Sequence, residues 1–453
     1  MNIVPRGALV AAAVLTAQTQ TPAPTPDVHV AISVIAARAL ERPVAGIAVA
    51  MARAGKIVEA RGFGLADVDR KIPVTPQTVF HAASVSKNIL AGVVLHLVEE
   101  GKLSLDDDIT KYVAEAPTHG QHVTLRHLLT HTSGLFSYTS VPDADANEAL
   151  DLSHEQVLAL IKDRPADFAP GASWRYSNTG SYLAGMAVER VTGMTYATYL
   201  RRRVFAPLGM TSSSLCNVHD EVPALAAGYG VQDGKLVPSP RATWTVPFAG
   251  GGVCTTVLDL VRWQNALDGG RFVSRAHLDE MRRPTTLADG TRIDYGLGTR
   301  LGSLQGHAIA GHTGSGLGFN TVLMTFPADR LTIAVLTNSA SGSAGTIAAA
   351  IARSAFELAP PKAAGGDVPD EERAALVGHF DSDEGTVENY GCGKALCFRV
   401  PGTSEGGTVT RVSPFVYAAG PDIEIRFPQP PAPVDWAFVY AGGLFADAKR
   451  RVR

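Results

Sequence analysis

The sequence predicts an α/β fold of the α+β type: an antiparallel sheet flanked by helices, a mostly helical subdomain, and a small β-rich C-terminal domain. Alternating apolar segments stand near both ends of the first 358 residues, and the chain from about 120 to 290 reads as helical patches and loops. A stretch of proline, glycine and alanine, APPKAAGGDVPD, precedes a tail of short alternating segments. Strands that flank a helical insert from both sides imply one shared sheet.

The elements follow in chain order. Residues 28–40 have the apolar spacing of an amphipathic helix. The segments VAGIAVAMAR and KIVEARGFGLAD alternate as strands and meet at Ala54-Gly55, a hairpin turn. Residues 84–100 predict an apolar helix that ends at Gly101, because glycine is preferred in the left-handed position after a helix. Further strands are predicted in TRIDYGLGTRLG, HAIAGHTG, FNTVLMTFP and LTIAVLTNS, and a closing helix in SAGTIAAAIARSAFEL.

These patterns divide the chain into four parts: a signal peptide and linker over 1–26, a large domain over 27–358, a linker over 359–370 and a β-rich domain over 371–453. The first part has a basic start, MNIVPRG, an apolar stretch, ALVAAAVLTA, and a polar end, which is typical of a secretory signal. We therefore expect an exported protein, periplasmic or secreted.

Composition excludes several function classes. The 453 residues carry a net charge of only −3, which gives no electrostatic basis for binding nucleic acid. There is no run of eighteen apolar residues, so a membrane span is not expected. The sequence indicates no oligomeric state and no cofactor.

The four cysteines are Cys216, Cys254, Cys392 and Cys397. In an exported protein they allow three disulfide pairings. Cys392 and Cys397 are close enough in sequence for a local loop, and the other two could then pair. Buried free thiols are the alternative.

The segment HAASVSKNIL suggests a reactive serine. A serine hydroxyl is a weak nucleophile that needs a base within hydrogen-bond reach. Ser84 has Lys87 three residues on, on the same helical face, whereas Ser86 has only Ile89 there. Lys87 can accept a proton at neutral pH only if its surroundings favour the uncharged amine, as burial and the start of a helix do.

Two further motifs follow in the chain. WRYSNTG contains Tyr176 and Asn178, and GHTGSGLGF contains His312, Thr313 and Gly314. A tyrosine hydroxyl can relay protons, and an asparagine amide can orient a carbonyl. A glycine-rich strand edge can offer a backbone N–H to an oxyanion.

Together, S-x-x-K, Y-x-N and H-T-G resemble the penicillin-recognising serine hydrolases, whose third motif is K-T-G or a variant. The chain is most similar to the branch of class C β-lactamases, D-alanyl-D-alanine carboxypeptidases, D-aminopeptidases and related esterases. The blocks VTLRHLLTHTSGL, YSNTGSYLAGMAVERVTGMTYATYL, FAPLGMTSS and AGGGVCTTVLDLVRW extend the likeness over about residues 30–357. The resemblance implies a β-lactamase/DD-peptidase-like fold and, for the last domain, a lipocalin-like barrel.

Carried over residue by residue, the resemblance implies Ser84 as the acylated nucleophile and Lys87 as its base. Tyr176 would pass the proton to the leaving group. Asn178 would hold the acyl-side amide or the Lys87 ammonium. The N–H groups of Ser84 and Ser315 would form the oxyanion hole.

The third motif departs from the family pattern. His312 stands where the family has lysine, and a histidine with an ordinary pKa is only partly charged at pH 7. This weakens the case for an efficient β-lactamase. Thr313 and Gly314 are expected to bind substrate. Arg175 could meet a substrate carboxylate or support its own loop.

Other chemistries find less support. His127 and His131 have the spacing of two zinc ligands, but no glutamate stands beside them, so no metal is expected. No serine satisfies G-x-S-x-G. The sequence therefore predicts a serine hydrolase acting on a small-molecule or peptide substrate. The expected reaction is D-alanyl carboxypeptidase-like, with β-lactam or ester hydrolysis, or a non-catalytic binding protein, as alternatives.

Overall fold

The computed structural model describes residues 26–452 apart from 142–149, 218, 220, 242, 244, 360–366, 382–385, 402–405, 421 and 430–433. Residues 1–25 of the predicted signal peptide and linker (1–26), and residues 360–366 of the second predicted linker (359–370), lie outside the described residues. Among the helices that the structure describes, none is both long enough and apolar enough to cross a membrane.

The described helices are α1 Pro26–Leu40, α2 Ser86–Glu99, α3 Leu125–Leu129, α4 His154–Ala159, α5 Asn178–Thr192, α6 Tyr196–Tyr199, α7 Phe248–Gly251, α8 Val257–Asp268, α9 Arg275–Met281, α10 Ala344–Ala355 and α11 Asp370–Leu376. The strands of the first domain are β1 Gly46–Arg53, β2 Lys56–Asp67, β3 Ile72–Pro73, β4 Phe80–His81, β5 Ser214–Leu215, β6 Tyr229–Gln232, β7 Lys235–Pro238, β8 Val253–Thr255, β9 Thr285–Thr286, β10 Arg292–Ile293, β11 Arg300–Leu304, β12 His307–Gly316, β13 Phe319–Phe326 and β14 Leu331–Thr337. The strands of the second are β15 Gly378–Asp381, β16 Val387–Cys392, β17 Ala395–Arg399, β18 Gly406–Ser413, β19 Val416–Ala418, β20 Ile423–Arg426, β21 Trp436–Ala441 and β22 Leu444–Arg451.

The central sheet of the first domain joins strands from both ends of that domain. Its order is β11-β12-β13-β14-β1-β2-β3, and β1 pairs antiparallel with β14, with Val49 opposite Val335. The β1–β2 hairpin turns at Ala54 and Gly55, both with positive φ, as a two-residue hairpin turn requires. The predicted single sheet, built from strands on either side of a helical insert, is confirmed.

The sheet is buried on both faces, which explains why β1 and β14 are apolar without alternation. On one face Ile47 and its neighbours pack against α1 and α10. On the other face Ala48 and its neighbours pack against α2, α8 and the helical subdomain. Neighbouring residues on a strand thus enter different cores. Helix α2, which carries the lysine of the S-x-x-K motif, belongs to the second core.

The C-terminal domain is an eight-stranded antiparallel barrel. Strands β15 to β22 pair in chain order, and β15 pairs back to β22 to close the barrel. Val368, within the predicted linker, is buried in the barrel core, and α11 begins at Asp370. The predicted β-rich domain is confirmed, and its packing begins slightly before residue 371.

The barrel joins the central sheet where β22 meets β11. Gly302 pairs with Leu444, and a Cβ on Gly302 would lie 2.0 Å from the carbonyl oxygen of Gly443. Only glycine allows the β21–β22 hairpin to approach β11 so closely. This hairpin therefore packs directly against the strand that begins at Arg300.

Two disulfides join the cysteines, and the structure leaves no cysteine free. Cys216 pairs with Cys254, and Cys392 pairs with Cys397 across the β16–β17 hairpin. Of the three pairings that the sequence left open, the structure has the one in which Cys392 and Cys397 form a local loop and the other two cysteines pair with each other. The alternative of buried free thiols is wrong.

Candidate active site

Ser84 lies in a single 3-10 turn, Ala83–Val85, between β4 and helix α2. Ala83 has φ +45°, a left-handed conformation that alanine rarely adopts. Gly314 of β12 packs against the turn: a Cβ there would lie 2.4 Å from the carbonyl oxygen of Ala82 and 2.9 Å from the Ser84 nitrogen. The turn and the strand edge together fix the position of the half-buried Ser84.

Lys87 reaches Ser84 from the first turn of α2. Its side chain is buried, with the residue only 2% exposed. Lys87 Nζ lies 3.1 Å from Ser84 Oγ and donates to the carbonyl oxygen of Gly250 at 3.0 Å. The buried first turn of α2 thus presents one amine to one serine.

Tyr176 approaches the same serine from the loop before α5. Tyr176 Oη lies 2.8 Å from Ser84 Oγ, so the serine hydroxyl is within hydrogen-bond distance of both a phenol and an amine. Lys87 Nζ lies 4.9 Å from the centre of the Tyr176 ring. This arrangement can move a proton between the three groups.

Ser84 opens into a small pocket of about 80 Å³ that is also lined by Asn178 and Ser315. Asn178 is the first residue of α5, and its Nδ2 donates to Thr139 Oγ1 at 2.9 Å. Ser315 is exposed at the edge of β12, opposite Asn320 of β13. The structure thus brings all three motifs predicted from the sequence to one pocket.

His312 lies behind this pocket in a buried hydrogen-bond chain. The backbone N–H of Ser177 donates to His131 Nδ1 at 3.2 Å, so His131 Nε2 carries the proton and donates to Tyr295 Oη at 3.0 Å. Tyr295 Oη donates to His312 Nε2 at 2.9 Å, and His312 Nδ1 donates to the Thr313 carbonyl at 2.5 Å. The chain ties the loop of the second motif to the strand of the third.

The expectation that His312 is partly charged at pH 7 is wrong. Complete burial, together with the positive charges of Arg300 and Lys87, holds the pKa of His312 well below its ordinary value. Burial and the charge of Lys87 do the same to the pKa of His131. Both imidazoles are therefore neutral near pH 7, as their acceptor roles in the chain require.

Arg300 is the residue that the sequence analysis missed. It is 7% exposed, its guanidinium lies 5.5 Å from the centre of the Tyr176 ring, and Nη1 donates to the carbonyl oxygen of Phe445 at 2.9 Å and to that of Ala446. Both carbonyls belong to the barrel, about 145 residues away in the chain. No local pattern marks Arg300, because its partners are backbone atoms of another domain.

Arg175 faces carboxylates. Its Nη2 lies 3.2 Å from Asp381 Oδ2 of the barrel, and its Nη1 lies 3.8 Å from Asp167 Oδ2. Of the two interpretations left open by the sequence, these contacts favour support of the loop over binding of a substrate carboxylate. The pair also ties the loop before Tyr176 to the barrel.

His127 and His131, which have the spacing of two zinc ligands, form hydrogen bonds within the protein. Both ring nitrogens of His131 belong to the hydrogen-bond chain described above, and His127 Nδ1 accepts from the backbone N–H of Thr124 at 3.3 Å.

Ser86, the other serine of the first motif, is buried and accepts from the Val253 N–H at 3.2 Å. It is therefore a buried packing residue in the first turn of α2.

A serine that contacts a buried amine and a phenol, on a sheet-and-helix scaffold with a glycine-rich strand edge beside it, defines a serine hydrolase. Comparison with known proteins gives the family. The model for the Beta-lactamase family matches residues 31–356, most of the chain. The chain therefore belongs to the β-lactamase family.

The relatives that this chain resembles are named for different activities. The chain is 29% identical over 302 residues to Penicillin-binding protein 4* of Bacillus subtilis, a match that covers 63% of this chain and 66% of that protein. It is 27% identical over 317 residues to a D-aminopeptidase of Gluconobacter oxydans, covering 68% and 59%. The alignments thus span about two thirds or less of these relatives' own length.

Among solved structures, the octameric penicillin-binding protein homologue from Pyrococcus abyssi is similar over nearly the whole chain. The TM-score is 0.67 at 25% identity, and the match covers 93% of this chain and 99% of that one. The likeness therefore includes the barrel as well as the family domain.

Proposed function

We propose that this chain is an exported serine hydrolase that works through an acyl-enzyme on peptides of D-amino acids, in the manner of a D-alanyl carboxypeptidase. The observation that carries the proposal is the contact of Ser84 Oγ with both Lys87 Nζ and Tyr176 Oη, at 3.1 and 2.8 Å. An amine and a phenol that both contact one hydroxyl suit a two-step acyl transfer, in which a proton must leave the serine and reach the leaving group.

In the first step Ser84 Oγ forms a bond to the substrate carbonyl carbon, and its proton passes to Lys87 or Tyr176. The proton then moves to the leaving nitrogen as the C–N bond breaks, which leaves an ester on Ser84. In the second step water attacks this ester with the same groups as base, and the acid product and free Ser84 are released. Atoms and protons balance without a cofactor.

The remaining residues of the pocket bind and polarise the acyl group. The backbone N–H groups of Ser84 and Ser315 form the oxyanion hole at the edge of β12, where Gly314 allows close approach. The Asn178 amide orients the acyl-side amide of the substrate, and Thr313 contributes to the strand edge on which the substrate lies. The roles of Ser84, Asn178 and Ser315 are supported by the pocket that they share, and that of Thr313 by its place on β12 two residues before Ser315.

Arg300 supplies the fixed positive charge that His312 does not. Its guanidinium lies 5.5 Å from the Tyr176 ring, and its charge lowers the pKa of His312. A permanent cation at this distance stabilises the negative charge that develops on the Tyr176 oxygen during proton transfer. His312 serves instead as a neutral link between Tyr295 and the strand of the third motif.

The D-amino-acid substrate class rests on the relatives whose names concern penicillin binding and D-aminopeptidase activity. Hydrolysis of β-lactams or small esters at the same pocket is the alternative, because the acyl-transfer chemistry is shared. A non-catalytic binding protein on this fold is the second alternative. Export rests on the N-terminal pattern and on the two disulfides, which persist in oxidising compartments.

The test is labelling followed by turnover. Wild-type protein and Ser84→Ala are treated with a fluorescent penicillin and a fluorophosphonate. Label on wild type alone supports the acyl-enzyme, and the absence of Ser84-dependent label from either reagent overturns it. A D-alanyl-D-alanine peptide, nitrocefin and a p-nitrophenyl ester, assayed side by side, then rank the substrate classes by kcat/KM.

A further inference from the structure

The C-terminal barrel contains a second cavity, none of whose lining residues lines the Ser84 pocket. Its volume is about 250 Å³, and its lining consists mainly of apolar side chains from five of the barrel strands: Phe380, Val387, Phe398, Ile423, Ile425 and Val439. An apolar cavity of about 150 Å³ is already large enough to bind benzene in a protein core. The barrel interior thus has room for a molecule of that size or somewhat larger.

One polar side chain in this lining has no protein partner. Asn389 of β16 is 5% exposed and lines the cavity. Its backbone pairs with Phe398 of β17, and no residue that the structure describes forms a hydrogen bond with its side-chain amide. The amide of Asn389 borders the cavity, where it can donate to and accept from a group that enters the barrel. Asn389 therefore points to a bound molecule with a hydrogen-bonding group.

The charges nearby indicate what kind of molecule. Lys449 also lines the cavity, and its Nζ lies 3.1 Å from Asp447 Oδ2. The two side chains are buried and opposite in charge, so this pair adds no net charge to the lining. A charged ligand would add an uncompensated charge to an apolar space, whereas an uncharged one would not.

We propose that the barrel binds a small, uncharged, mainly apolar molecule that carries one carboxamide or similar carbonyl group. The apolar part packs against Phe380, Phe398 and Ile425, and the polar group forms hydrogen bonds with the Asn389 amide, which both donates and accepts. The site shares no lining residue with the Ser84 pocket. The proposal is independent of the reaction at Ser84.

Three probes that share one aromatic ring separate the contributions of the polar group and of charge to binding. Benzamide, benzoate and benzene are titrated into the full chain by isothermal titration calorimetry. Wild type is expected to bind benzamide at least about tenfold more tightly than the other two, since one buried hydrogen bond accounts for a factor of this order. Asn389→Leu is expected to lose the preference for benzamide over benzene.

Two matched variants locate the binding. Val439→Phe fills the cavity and is expected to abolish binding of all three probes, and Ala419→Leu, on the same lining, replaces it if that variant does not fold. Val412→Phe adds the same ring to an exposed position of the barrel and is expected to bind as wild type does. Failure of wild type to bind benzamide, an unchanged preference in Asn389→Leu, or full binding by a folded cavity-filled variant would overturn the proposal. Labelling of Ser84, measured separately, is unaffected by any of these outcomes.

Discussion

The two sides of the Ser84 pocket are built in different ways. The front is local: Ser84, in the 3-10 turn, and Lys87, in the first turn of α2, are three residues apart, and this short segment brings them together. The back is assembled over long distances: Arg300 is held by carbonyls of the barrel, and His131 reaches His312 through Tyr295. The comparison suggests that the front carries the bond-making chemistry, and that the back sets the charge and position of Tyr176.

The largest expected effect lies at the front. Ser84→Ala removes the nucleophile, so acylation and turnover should fall at least ~1,000-fold. Ser86→Ala is the matched control: it removes an acceptor for the Val253 N–H, which costs ~1–3 kcal/mol of stability, but leaves the attacking oxygen in place. Penicillin labelling and urea unfolding measure the two effects. Equal labelling of wild type and Ser84→Ala would show that the front does not act as described.

The next effect tests the cation at the back. Arg300→Gln removes the positive charge near Tyr176, so the acylation rate should fall about 10- to 100-fold, the range found when one group that stabilises developing charge is lost. The variant should also raise the pKa of His312 toward its ordinary value, because the charge of Arg300 is one cause of its depression. The acid limb of the rate profile should then move to higher pH.

Two comparisons separate this electrostatic effect from a loss of packing. Arg300→Lys keeps the charge and should recover part of the rate. Arg42→Gln, at an exposed position, should match wild type. A rate loss in Arg300→Gln that is the same at every pH, with no recovery in Arg300→Lys, would contradict the role given to Arg300.

A smaller loss of acylation rate is expected when the contact between the barrel and Arg300 is disturbed. Gly302→Ala would place a Cβ 2.0 Å from the Gly443 carbonyl and push the β21–β22 hairpin away from β11. The carbonyls that hold Arg300 lie on this hairpin, so we expect acylation to slow by up to about tenfold, less than on outright loss of the charge. Stopped-flow labelling measures the rate.

The control for this variant is Gly230→Ala, whose new Cβ would make only ordinary contacts of 3.6 Å or more. It should acylate at the wild-type rate. A Gly302→Ala protein that is folded and fully active would show that Arg300 keeps its place without the hairpin.

The front of the pocket could be predicted from the sequence, whereas most of the back could not. Helix α2, the β1–β2 hairpin and the three motifs are recognisable because each depends on spacing within a few residues. The role of Arg300 cannot be predicted in this way, because its partners are backbone carbonyls of β22. A carbonyl group is present at every residue, so no side-chain pattern marks these partners. The neutral state of His312 was also missed, since burial and the charge of Arg300 are properties of the packed structure.

The smallest expected effect is on the pH dependence of stability. His131 and His312 have folded-state pKa values below their ordinary value. As the pH falls below about 6.5, the unfolded chain binds protons that the folded chain does not, so each histidine reduces stability by up to ~1.4 kcal/mol per pH unit. Stability is therefore highest above pH 6.5 and is lost on acidification, with all other groups held equal.

Urea unfolding at pH 7.5 and 5.5 measures this loss. His131→Asn removes one of the two buried imidazoles, and the free energy of unfolding should depend less steeply on pH than in wild type, even though the variant is less stable overall. The exposed His119 offers the matched control, since His119→Gln should keep the wild-type slope. If His131→Asn loses as much stability on acidification as wild type does, then His131 is not held neutral. The hydrogen-bond directions assigned to the His131–Tyr295–His312 chain would then be wrong as well, because Nδ1 of a protonated ring could not accept from Ser177.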